Sequence, residues 1–204
     1  MRVVSEYAYW ESVVTGLVKP KIPIIPYVPA RRCESARILP IQSAWKGIES
    51  ILSDIIERFQ IKPDRCLEFG VERGYSTAAL SSYFNSILGV DTFLGDKHTR
   101  LNEDFFEEAA RNLSSFDNIR LVRSDYRNWI KQDTSYYDLI HVDIIHTYAD
   151  TFACGLWSAE HAKCVIFHDT ESFPEVKEAV REICRKTGKN FYNFTESCGL
   201  GIIV

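Results

Sequence analysis

Residues 65–77 read RCLEFGVERGYST, and the change of character along this stretch points to the fold. Cys66, Leu67 and Phe69 make a short apolar strand that carries one acid, Glu68, and runs into Gly70. Gly74 follows, and Tyr75, Ser76 and Thr77 open a helix. A strand, a glycine-bearing turn and a helix start form a cradle for a nucleotide or an anion. Glycine lets the backbone approach the ligand, and the first helical N–H groups have no partner within the helix. The spacing Gly-x-x-x-Gly is neither the dinucleotide fingerprint Gly-x-Gly-x-x-Gly nor a P-loop, which ends in Gly-Lys-Ser/Thr.

Upstream, Ile48, Ile51, Leu52, Ile55, Ile56 and Phe59 recur at helical spacing, so residues 42–60 read as an amphipathic helix with Ser43 as N-cap. Before it, Pro20, Pro23, Pro26, Pro29 and Pro40 deny backbone donors and favour extended chain. Residues 1–42 therefore read as an irregular arm laid over the domain or onto a partner subunit. Its apolar residues suit contact with a second copy in a homodimer, and Arg31 and Arg32 read as solvated charge.

Downstream, strands and helices alternate. Strands are expected at residues 86–90, 119–123, 137–142 and 164–167, with helices at 75–83, 103–113, 151–161 and 174–186 and a short one around Trp129. This alternation implies an α/β fold, a doubly wound, mostly parallel Rossmann-like sheet. Residues 191–194 and 200–204 lack an intervening helix and should close one edge as an antiparallel hairpin.

The composition narrows the functional classes. With 204 residues, 46% apolar and 25% charged, the chain can bury a substantial core. A formal charge of −4 argues against nucleic-acid binding through bulk charge. No apolar run is long enough to span a membrane, and the first residues lack the basic-then-apolar order of a signal peptide. Six scattered cysteines without a Cys-x-x-Cys pair read as reduced core thiols, which implies a cytoplasmic protein.

In open α/β sheets ligands bind beyond the carboxyl ends of the strands. Those ends carry Glu68 with Gly70, Gly74 and Ser76; Asp91; Asp125 with Tyr126; Asp143 with His146; and His168, Asp169 and Thr170. One such acid is an ordinary helix cap. The set as a whole reads as a site. Asp91, about 20 residues past the glycine turn, is placed to accept both hydroxyls of a ribose. Asp143 and Asp169 end neighbouring strands, and with the hydroxyl of Thr170 they offer oxygen ligands suited to Mg²⁺. His146 faces the same opening, where an imidazole can take a proton from a substrate hydroxyl. Taken singly, His146 and His168 would be polar loop residues.

These residues resemble the class I S-adenosylmethionine-dependent methyltransferases. LEFGVERGYST is similar to their first motif in the metal-assisted, catechol O-methyltransferase-like branch, and GVDTF to their ribose-binding motif. YYDLIHVDIIHTYADT, VIFHDT, the loop DTFLGDKH and the ending GLGIIV resemble a branch that includes sugar and macrolide O-methyltransferases. The resemblance covers roughly residues 63–204, and it implies a methyltransferase domain over residues 43–204 that transfers a methyl group to a hydroxyl of a small molecule, such as a sugar or glycoside.

The resemblance also implies roles. Glu68, Gly70 and Gly74 would line the methionine end of the cofactor, with Ser76 holding its carboxylate. Asp91 would take the ribose and Asp125 and Tyr126 would flank the adenine. Asp143, Asp169 and Thr170 fall on metal-ligand positions, and His146 on that of the base. Two departures stand out: Ile144 replaces a glycine after Asp143, and Thr170 replaces an asparagine common in catechol-type enzymes. The alternatives are a nicotinamide-dependent dehydrogenase on a related sheet and a methyltransferase-fold protein that binds without catalysis. The acceptor would be shaped by residues 1–42, 93–100 and 171–175.

Overall fold

A computed structural model describes residues 7, 9–11, 13, 14, 22–95 and 103–204. Most of residues 1–21 and residues 96–102 lie outside the described residues, and with them residues 96–100 of the loop expected to shape the acceptor site. The described strands, in chain order, are β1 (Ile24–Pro26), β2 (Arg65–Phe69), β3 (Ser86–Asp91), β4 (Ile119–Arg123), β5 (Tyr137–Val142), β6 (Ala162–His168), β7 (Phe191–Phe194) and β8 (Leu200–Ile203). They form one sheet in the order β1-β7-β8-β6-β5-β2-β3-β4.

From β2, the chain builds outward through β3 and β4, then returns to the other side of β2 with β5 and β6, all parallel. The direction of winding reverses between β2 and β5, so their carboxyl ends border the crevice where ligands bind in such sheets. Helices α1 (Leu52–Arg58), α2 (Tyr75–Ser81) and α3 (Phe106–Leu113) cover one face. Helices α5 (Tyr148–His161) and α6 (Pro174–Thr187) cover the other, while the short α4 (Tyr126–Trp129) follows β4. Among the described residues no helix is long and apolar enough to cross a membrane.

The expected hairpin is present, with β8 antiparallel to both β6 and β7. The sheet does not end there. Ile24–Pro26 of the proline-rich segment pairs parallel with β7 and becomes the outermost strand. Proline suits that position because an edge strand has donors to spare. Beyond β1 the segment is tied to the domain. The Tyr27 hydroxyl donates to Asp54 Oδ2 at 2.5 Å, Ala30 N donates to Asp54 Oδ1 at 3.1 Å, and Arg37 Nη1 donates to Asn118 Oδ1 at 2.5 Å. Arg31 and Arg32 form exposed ion pairs with Glu57 and Glu196.

The single helix expected over residues 42–60 is a correction. Gly47 adopts φ +102, a left-handed conformation, and only then does a 3₁₀ turn (Ile48–Ile51) lead into α1. Ser43 does not cap that helix; its hydroxyl accepts from Trp45 N at 3.1 Å and tightens a separate turn. The apolar stripe still packs as expected, with Ile48, Ile51, Leu52 and Ile55 fully buried. The break carries Ile41–Trp45 away from the helix axis and onto the crevice.

Candidate active site

A cleft of about 270 Å³ opens at the carboxyl ends of β2 to β6. That is near the lower end of the range for small-molecule sites, roughly 300–1,000 Å³, and far more than one ion needs. Its floor depends on Gly70, at φ +91, where a Cβ would stand 1.7 Å from the carbonyl oxygen of Asp143. Only a residue without a side chain lets β2 and β5 end this close together.

Asp91 lines the cleft and braces the turn that follows Gly70. Its Oδ2 accepts from Val71 N at 2.7 Å and Glu72 N at 2.8 Å, and its Oδ1 accepts from Phe93 N at 2.8 Å. The remaining contact, from the Thr92 hydroxyl at 3.4 Å, is the weakest and the one a ligand hydroxyl could displace. Asp125 caps α4 by accepting from Arg127 N at 2.7 Å, and the Tyr126 hydroxyl donates to Asp150 at 2.7 Å. Both residues line the cleft beside Val90, Phe93 and Phe105, so carboxylates and flat apolar surface share one wall. That combination suits a ligand with both a planar ring and hydroxyl groups.

Two residues expected at the cofactor lie elsewhere. Glu68 is fully buried beneath the cleft, because its position on β2 turns it into the core rather than out of the strand end. Gly74 is packed against α3, where a Cβ would come within 2.8 Å of Leu113 Cδ1, and it forms no part of the cleft wall.

At the end of β5 and β6 four polar side chains converge. His146 Nε2 lies 2.8 Å from Asp169 Oδ2 and 3.5 Å from Asp143 Oδ1. His168 Nδ1 lies 3.2 Å from Asp143 Oδ2 and 3.4 Å from Asp169 Oδ2. The His146 ring stacks on Phe173 with centroids 4.2 Å apart, which sets its plane. Ile144, in place of the family glycine, takes no positive φ, so the loop still delivers His146 to the acids. Asp169 does take φ +66, a strained value of the kind that collects at functional sites.

The electrostatics follow from this packing. Burial alone would lower His146, but Asp143 and Asp169 raise it to about 9. His168, likewise opposed by burial, is raised to about 11 by the same two carboxylates. Burial pushes Asp143 up, yet the two histidines outweigh it and hold the carboxyl well below the usual range. Asp169 is lowered for the same reason.

One oxygen atom each from Asp143 and Asp169 and one nitrogen from His146 lie within 4.8 Å of one another, close enough to hold a divalent cation. The two carboxylates suit Mg²⁺, and the imidazole is the softer member of the set. Thr170, expected as a third ligand, lies outside the cleft lining. It is buried, and its hydroxyl donates to Asn193 Oδ1 at 2.7 Å on the hairpin side. His168, which the sequence places beside Asp169 at a strand end without a role of its own, joins the cluster directly.

A family model described as "Methyltransferase domain" matches residues 67–170, about half of the chain and the stretch that supplies β2 to β6. The protein is a methyltransferase. Solved structures share its fold. An amino pentose methyltransferase, CalS10 of Micromonospora echinaspora, described as involved in calicheamicin biosynthesis and bound to S-adenosylmethionine, aligns with TM-score 0.60 at 12% identity, covering 79% of this chain and 91% of that one. An O-methyltransferase from Bacillus cereus in complex with S-adenosylhomocysteine aligns with TM-score 0.57 at 14% identity, covering 81% and 84%. TomG of Streptomyces achromogenes, an O-methyltransferase of tomaymycin synthesis bound to S-adenosylmethionine, aligns with TM-score 0.51 at 14% identity, covering 74% and 76%. At these identities the likeness is one of fold, the class I methyltransferase sheet with its closing hairpin. Comparison with curated proteins gives no match.

Proposed function

We propose that this methyltransferase uses S-adenosylmethionine to methylate a hydroxyl of a small molecule, such as a sugar or glycoside. The observation that carries the reading is the contact of His146 with Asp143 and Asp169 at the edge of the same cleft that Asp91, Phe93 and Tyr126 line. A basic group and two carboxylates beside a ring-and-hydroxyl pocket are what an O-methylation needs. The names of the fold neighbours, an amino pentose methyltransferase and two O-methyltransferases, agree with it.

S-adenosylmethionine supplies an electrophilic methyl group when bound, and a Mg²⁺ ion held by Asp143 and Asp169 would acidify the acceptor hydroxyl. The work of the chain is alignment and proton removal. Phe93, Phe105 and Tyr126 would cover a planar ring, and Asp91 Oδ1, held by Phe93 N and more weakly by the Thr92 hydroxyl, would accept from a ribose hydroxyl. His146 accepts the hydroxyl proton at Nε2, and Asp169 and Asp143 stabilise the imidazolium that results. The stacked Phe173 keeps that ring in plane for the transfer. All six cysteines are free thiols and four are buried, which supports a reducing compartment, the cytoplasm.

Calorimetry with S-adenosylhomocysteine tests the cofactor. Binding in the micromolar range is expected, and none at millimolar ligand overturns the reading. A mass-spectrometric screen of hydroxylated acceptors with isotope-labelled cofactor then identifies the methylated class.

A further inference from the structure

The loop between β7 and β8 brings a thiol to the end of β6. One nitrogen of His168, one oxygen of Asp169 and the sulfur of Cys198 lie within 4.8 Å of one another. This set shares only Asp169 with the set of Asp143, His146 and Asp169. His168 and Asp169 are 3% and 8% exposed, and Cys198 is half-buried. The Cys198 carbonyl accepts from Glu171 N at 2.9 Å and from Ser172 N at 3.2 Å, so the loop that carries the thiol is fastened to the segment that follows Asp169.

The same loop orients the imidazole. His168 Nε2 lies 3.3 Å from the Ser197 carbonyl, which can only accept, so Nε2 carries a proton. The neutral ring then keeps its lone pair at Nδ1. That nitrogen is buried, 3.2 Å from Asp143 Oδ2 and 3.4 Å from Asp169 Oδ2, yet it makes a hydrogen bond to neither. A separation of 3.4 Å is also the edge between two ligands about 2.1 Å from a tetrahedral zinc ion. An N–H given to a backbone carbonyl is the usual support of a metal-bound histidine.

The donor set decides the cation. Mg²⁺ takes oxygen ligands, whereas thiolate, imidazole and carboxylate together suit Zn²⁺. We propose that His168 Nδ1, an oxygen of Asp169 and the sulfur of Cys198 form a second cation site, selective for Zn²⁺ and distinct from the Mg²⁺ site proposed above. Binding makes one bond from zinc to each of the three atoms. The thiol proton leaves to solvent, and so does the Nδ1 proton that the neighbouring carboxylates otherwise hold. The site does not depend on the S-adenosylmethionine reading. Because Asp169 belongs to both sets, zinc bound here withdraws a carboxylate from His146.

Metal titrations of the whole protein, kept reduced with a phosphine, test the proposal. Co²⁺ should give the near-ultraviolet absorption band of a cobalt–thiolate bond, and Zn²⁺ should remove it. Zn²⁺ should also protect Cys198, and not the exposed Cys33, from alkylation read by peptide mass spectrometry, while Mg²⁺ should protect neither. Cys198→Ser should lose the band and weaken Zn²⁺ by more than the roughly 10- to 100-fold that loss of a ligand's supporting partner costs. Cys33→Ser should keep both. The absence of a band in wild type, or alkylation of Cys198 at the same rate with and without Zn²⁺, overturns the proposal without any variant. So does a band that survives in Cys198→Ser, or protection by Mg²⁺ equal to that by Zn²⁺. Failure to bind S-adenosylhomocysteine would remove the cofactor reading and leave this site standing.

Discussion

His146 Nε2 and Asp169 Oδ2 stand 2.8 Å apart, joining the loop after β5 to the end of β6. Neither residue could reach the other if these strands were not neighbours, paired from Tyr137 with Ala162 to Val142 with Phe167. The contact makes stability depend on pH. His146 is raised from 6.5 to about 9 and His168 from 6.5 to about 11, against burial, by the paired carboxylates. A raised histidine stabilises the fold fully below its unfolded value, and that contribution is lost as pH rises through the folded value. The melting temperature of the cofactor-free protein should therefore fall as pH rises from 6.5, through about 9 for His146 and on to about 11 for His168, measured by thermal scans across that range. In His146→Gln the fall should be smaller and should move toward the upper end.

The same raised value sets the pH dependence of turnover. At neutral pH the cofactor-free enzyme holds His146 as imidazolium, which cannot accept a proton. Turnover at saturating cofactor should rise with pH toward about 9 and then level. His146→Gln should leave S-adenosylhomocysteine affinity intact while lowering kcat by roughly 10²- to 10⁴-fold and flattening the profile.

Cation binding separates the side chains at the cluster. Calorimetric titration with Mg²⁺ should lose its signal in Asp143→Asn and in Asp169→Asn. Thr170→Val should leave the Mg²⁺ affinity unchanged, because Thr170 does not line the cleft in which Asp143 and Asp169 stand. It should instead cost about 1–3 kcal/mol of stability, since Asn193 is left buried with an acceptor unmet. Turnover that is unchanged by chelation and by added Mg²⁺ would remove the metal from the mechanism.

Asp91→Ala acts on the turn as well as on the ribose. Three backbone amides lose their acceptor, those of Val71, Glu72 and Phe93. Cofactor affinity should fall by about 100-fold or more, beyond the loss of one charge-assisted bond. Hydrogen exchange over residues 71–73 should speed up in the same variant, which distinguishes a loosened turn from a missing ribose contact.

Gly70→Ala should not yield a native protein. The added Cβ would overlap the Asp143 carbonyl at 1.7 Å, and both residues directly follow central strands, β2 and β5. A loss of about 4 kcal/mol or more is expected, read by denaturant unfolding or by failure to recover soluble protein.

Much of this was legible in the chain. Each expected strand from residue 65 onward is present, because a parallel sheet buries continuous apolar runs that contrast sharply with the amphipathic helices between them. The acids at the strand ends were legible for the same reason: once the strands are known, so is the side of the sheet to which their last residues belong. The helix over residues 42–60 was misread because periodicity does not register a single left-handed residue, Gly47, inside an apolar stripe. The strand Ile24–Pro26 was missed because three residues rich in proline carry no strand pattern. Only the exposed edge of β7 makes them one.

By itself, the stretch RCLEFGVERGYST determined a strand, a glycine turn and a helix start, and with the later strands it determined a methyltransferase sheet. It left Glu68 and Ser76 as two polar residues of a cofactor turn. Tertiary structure decided what they do. Pairing of β2 with β5 sets Glu68 opposite His141 across the sheet, and the break at Gly47 brings Trp45 down onto that histidine. Hydrogen-bond direction depends on which donors surround an acceptor in space, and those donors come from segments up to 96 residues apart. Spacing along the chain carries no record of such encounters, so this buried hydrogen-bonded chain is a property of the fold.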